Sequence, residues 1–65
     1  MRRAILEALE ARFQSHVSEA EATIKIYLEN SVGIGEHPQH IEECDKLIGK
    51  IAEAEDKLQI LKEFK

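Results

Sequence analysis

Apolar or small residues recur at Leu6, Leu9, Phe13, His16, Ala20, Thr23 and Tyr27 in alternating steps of three and four, within a stretch from Arg2 to Asn30 that contains neither glycine nor proline. That spacing is the heptad seam of an α-helix packed against a partner. Val17, Ile24 and Leu28 form a second row beside it, so the apolar stripe is wider than a strict two-stranded seam and can meet more than one neighbouring helix. His16, Ala20 and Thr23 are small or polar, which weakens the middle of the seam while permitting close helix approach. The pattern resumes with Cys44, Leu47, Ile51, Ala54, Leu58 and Leu61, widened by Ile41 and Ile48. Glu21–Lys25, Glu42–Lys46 and Glu53–Lys57 are acid-before-base pairs four residues apart, expected to form ion pairs on the solvated faces.

Between the two patterns lies Val32-Gly33-Ile34-Gly35-Glu36-His37-Pro38. Gly33 suits the positive φ of a helix C-cap, and Ile34 after it is placed to fold back onto Leu28. Gly35 frees the backbone again, and Pro38 fits the first turn of a second helix, where its missing donor costs nothing. His37 then falls at the N-cap, while Glu36, Glu42 and Glu43 favour the positive end of that helix. The pattern predicts a helix over about 2–31, a turn over about 32–37 and a helix over about 38–64. The expected fold is all-α: a single antiparallel two-helix hairpin, coiled-coil-like, that associates into a four-helix bundle. Antiparallel pairing places Thr23 beside Cys44 and His16 near Ile51.

Length sharpens the case for association. At 65 residues the chain holds one domain, and a core this small is marginal unless something staples it. The lone Cys44 cannot supply an internal disulfide. A homo-oligomer is therefore expected, with a dimer favoured, and its interface is assigned to Leu6, Leu9, Phe13, Val17, Ile24, Tyr27, Leu28, Ile41, Leu47, Ile48, Ile51, Leu58 and Leu61. Arg2 and Arg3 resemble the start of a signal peptide, but Glu7 and Glu10 interrupt any apolar run, so neither a secretory nor a spanning segment is expected. Charged residues make up 34% of the chain and the net charge is −4. That balance disfavours nucleic acid and anionic membranes as partners, and the expected compartment is the cytoplasm.

Few residues invite chemistry. His37, His40 and Cys44 are spaced three and four apart, so a helix would put two imidazoles and a thiol within one face, all acceptable to zinc. Glu36 or Glu43 is a candidate fourth ligand. The competing reading, which is preferred, makes Cys44 a small apolar seam residue and the histidines capping and packing groups. Gly33-Ile34-Gly35 exposes backbone donors before a helix start, as a phosphate cradle does, yet it lacks a Walker lysine, a Rossmann fingerprint and a preceding strand. A capped turn is the simpler account of Gly33, Ile34, Gly35 and Pro38. His16 is expected to be a buried, hydrogen-bonded structural residue rather than a titrating control on association. Arg2 and Arg3 are expected in solvent. No nucleophile and base are arranged for catalysis, and no cofactor is expected.

The string Tyr27-Leu28-Glu29-Asn30-Ser31-Val32-Gly33-Ile34-Gly35-Glu36-His37-Pro38, followed by Ile51-Ala52-Glu53-Ala54-Glu55-Asp56-Lys57-Leu58, resembles short helical-hairpin proteins encoded by tailed phages of marine bacteria. In those proteins a Val-Gly-Ile-Gly-Glu-His-Pro turn joins two helices. The resemblance spans roughly residues 20 to 61 and rests on the loop, because the Ala/Glu/Lys/Leu tract arises in many helices. It implies a small viral protein working in the host cytoplasm, and it brings no activity or functional residues to carry over. The expected role is a non-enzymatic, self-associating interaction or structural module that binds a host or phage protein. The alternatives are a metal-binding helical module built on His37, His40 and Cys44 and, behind it, an acidic inhibitor of a host nucleic-acid-binding protein.

Overall fold

The structure, a computed structural model, describes residues 1–29 and 39–65. The chain is an all-α hairpin: α1 spans Arg2–Glu29, α2 spans Gln39–Leu61, and a 3-10 turn, Lys62–Phe64, continues from α2. α1 and α2 pack lengthwise in a molecule 49 × 14 × 12 Å in extent. α1 is rich in Ala, Glu and Leu and α2 in Glu, Leu and Lys, residues with strong helical preference. The end of the second helix differs from the expectation, since α geometry stops at Leu61 and the last residues tighten into the 3-10 turn, closed by a bond from the Lys65 N–H to the Lys62 carbonyl. Such tightening is a common way of satisfying terminal carbonyls. The turn and cap residues Gly33, Ile34, Gly35, His37 and Pro38 lie outside the described residues.

The register is antiparallel. Tyr27 lies against His40, with ring centroids 5.5 Å apart and tilted by 54°. Lys57 sits over the Phe13 ring, 5.5 Å from its centroid. At the open end the Lys65 ammonium reaches Glu10 at 2.9 Å, and the Arg2 guanidinium donates to the Phe64 carbonyl. This alignment agrees with the expected pairing of Thr23 near Cys44. Arg2 and Arg3 are exposed, as expected, and Arg3 in addition bridges Glu7 at 3.5 Å. Two arginines at a helix N-terminus oppose that helix's own dipole. Antiparallel packing brings Arg2 to the C-terminal end of the neighbouring helix, where a cation is favourable and the carbonyls lack partners.

The core is thin and its centre is made of alanines. Ala20, Ala54 and Leu61 are 2%, 3% and 6% exposed, and among the described residues no large side chain is fully buried. Leu6, Leu9, Phe13, Val17, Ile24, Tyr27, Leu47, Ile51 and Leu58 are half-buried. Two helices cover each other along one line only, so a small side chain on that line vanishes while a large one emerges at the flank. His16 departs from its expected place: it is exposed, and Val17 takes the inward position. Turning the imidazole outward spares it a buried site where its ring nitrogens would need partners. Thr23 stays half-buried because its hydroxyl bonds to the Glu19 carbonyl one turn back, at 2.9 Å.

Ion pairing follows the helix faces, with two corrections. Lys57 bridges Glu53 at 2.9 Å as expected. Lys46 pairs with Glu43 at 3.7 Å, three residues away, rather than with Glu42. Among the described residues Glu21 and Lys25 form no bridge. Long exposed side chains gain little from one fixed geometry, so such pairs exchange readily for water. Gly49 was not singled out in the pattern, yet it sits inside α2 with open space where a Cβ would project. Gly49→Ala is therefore expected to raise stability by about 0.5–1 kcal/mol by restricting the unfolded chain. Urea denaturation of the two proteins checks this, and an unchanged or lower midpoint would contradict it.

Candidate functional site

The two flanks of the hairpin differ in character. On one side His16, Glu19 and Thr23 from α1 face Lys50, Glu53 and Lys57 from α2 across a groove of about 380 Å³, floored by Ala20, Leu47 and Ala54. The small floor residues let this side sink, and the charged rim keeps it wet. Within it the Glu53 carboxyl is held below its ordinary value, first by the hydrogen bond from Lys57, then by the charge of that ammonium, with a smaller contribution from His16. A carboxylate whose folded pKa is depressed contributes stability above its unfolded pKa, and that contribution is lost as pH falls through the folded value. Acidification from pH 5 to below about 4 is thus expected to weaken the hairpin slightly more in the wild type than in Lys57→Gln. Thermal melts across that window decide the point, and identical acid sensitivity in the two proteins would rule out the Glu53–Lys57 contribution.

A second groove lies at the open end. Leu6, Leu9, Phe13, Ile60, Leu61 and Phe64 line it with almost no polar surface. The heptad pattern included the first three and Leu61 but passed over Ile60 and Phe64, which are partly exposed. Their spacing of four was a readable signal, obscured because Ile60 falls off the seam and Phe64 follows the change to 3-10 geometry.

The third feature is the second apolar row. Leu28, Ile41 and Ile48 are 68%, 78% and 56% exposed, so in a single hairpin these assigned interface residues touch the partner helix little. Val17 and Ile24 of the same row are half-buried.

The metal candidates divide. His40 is half-buried and its ring packs on Tyr27, and Cys44 is a half-buried free thiol on the same helix. His37 lies outside the described residues. Among the described residues no three His, Cys, Asp or Glu side chains converge to hold a metal ion. Likewise, no described helix is long and apolar enough to cross a membrane. The chain matches no known protein-family model, and no curated protein or solved structure matches it either.

Proposed function

We propose that the protein is a small non-enzymatic interaction module that associates with itself, two hairpins forming a four-helix bundle through which it engages a host or phage protein. The observation that carries this reading is the imbalance between core and surface: among the described residues three are buried, two of them alanines, against a row of large aliphatic side chains in water. A lone two-helix unit gains too little burial to offset the ordering of its chain, and pairing of hairpins is the common remedy. Its grooves are open and shallow, as docking surfaces are, and Glu53 and Lys57 of the charged one are tied to each other in an ion pair.

Sedimentation equilibrium of the untagged protein at micromolar concentration tests the reading. The expected result is a species of twice the 7.4 kDa chain mass, with a melting temperature that rises with concentration. A cooperatively folded monomer whose melt is independent of concentration would end it.

A further inference from the structure

Helical geometry of about 3.6 residues per turn separates the two flanks of each helix, and antiparallel pairing decides which flanks share a side of the molecule. The charged groove collects His16, Glu19 and Thr23 with Lys50, Glu53 and Lys57 on one side. Ile24 and Leu28 of α1 therefore emerge on the opposite side, together with Ile41, Cys44 and Ile48 of α2. Each helix carries its second apolar row, and the fold lays the two rows side by side near the turn.

We propose that a second copy of this chain docks on this flank, related by a two-fold axis that passes close to Cys44. The inference rests on the self-association reading above and specifies its interface. The first argument is area. The chain exposes 5326 Å², whereas a compact folded monomer of its 7.4 kDa mass exposes about 4,200 Å². The excess, roughly 1,100 Å² per chain, compares with the ~800 Å² that a standard interface takes from each partner. The second argument is charge complementarity. Glu21 and Lys25, which do not bridge each other within the chain, lie on this same flank. Cys44 stands midway between Ile41 and Ile48 along α2, at the height of Glu21 and Lys25 on α1. A two-fold axis there sets Ile41 of each copy against Ile48 of the other, and Glu21 of each against Lys25 of the other. The contact is isologous and closes at two copies. The charged groove remains outside, on the far face of each hairpin.

The experiment compares wild type, Ile48→Glu, Lys25→Glu, the swap Glu21→Lys/Lys25→Glu, and Ile60→Glu, whose site lies in the open-end groove. Each protein is followed by sedimentation equilibrium and circular dichroism, and wild type is also treated with a short bismaleimide that links thiols through Cys44. The expected pattern is a dimeric wild type that cross-links into a covalent pair. Dimerisation should weaken by at least about a hundredfold in Ile48→Glu and about tenfold in Lys25→Glu, recover in the swap, and stay near wild type in Ile60→Glu. Cross-linking reads the native sequence, so it tests the placement even if Ile48→Glu separates and unfolds together. A monomeric wild type would overturn the self-association reading itself. A dimeric wild type that yields no Cys44 link, or that is dissociated by Ile60→Glu and not by Ile48→Glu, would overturn this face alone.

Discussion

Ala54→Asp is expected to abolish cooperative folding of the hairpin, whereas Ala52→Asp, two residues earlier on the outer side of α2, is expected to leave it almost unchanged. Both substitutions place the same residue in the same helix, so their intrinsic helical costs are alike. They differ in what the carboxylate meets. Ala54 is 3% exposed and lies on the line where the helices touch, while Ala52 is exposed. A carboxylate at Ala54 would lose its water against an apolar surface, at an effective cost of several kcal/mol. It escapes only by separating the helices or by taking up a proton. The margin of a chain this short is no larger than that cost. Circular dichroism melts at one protein concentration decide the matter. Equal melting of the two variants would mean that α2 presents a different line to α1.

Leu61→Ala is the second large effect. Among the described residues Leu61 is the only large side chain that is buried. It closes the open end together with Leu6, Leu9, Phe13 and Phe64. Truncating a buried leucine removes its transfer energy and leaves a gap that neighbours fill only in part, a loss of about 2–5 kcal/mol. The lower half of that range is expected, because the half-exposed residues around it can collapse inward. The polar ties at this end, Lys65 to Glu10 and Arg2 to the Phe64 carbonyl, are solvent-exposed and cannot replace the lost contacts. Fraying should therefore begin at this end. Amide exchange in Leu61→Ala should speed up first in residues 2–10 and 58–65, and uniform acceleration along both helices would show that the hairpin opens as one unit instead.

The Leu61 effect also bears on the proposed pairing of two hairpins. If the second copy covers the flank of Ile41 and Ile48, an alanine at Leu61 weakens each hairpin without touching the pairing contact. Its midpoint should fall while its dependence on protein concentration persists. Ile48→Glu should act on the pairing contact instead, so that folding is shifted to higher protein concentration although the substituted position is itself exposed in the single hairpin.

The amino-acid pattern by itself determined the two helices, their antiparallel pairing and most of the seam. These properties depend on periodicity, which is local: Leu6, Leu9, Phe13, Ala20, Leu47, Ile51, Ala54, Leu58 and Leu61 recur at helical spacing and all turn inward or partly inward. The second row was legible too, as a stripe too wide for one partner. Periodicity cannot rank neighbours on the same stripe, and so His16 was placed inward where Val17 belongs. One residue of difference is a rotation of about 100°, and only the facing helix decides which side chain is cheaper to cover. The same limit hid the roles of Arg2 and Lys65, whose partners Phe64 and Glu10 are remote in sequence. Tertiary structure alone decided that the two second rows share one side of the hairpin while His16, Glu19, Lys50, Glu53 and Lys57 gather on the other. That outcome depends on helix handedness combined with antiparallel direction, a relation between two elements that neither one's sequence expresses.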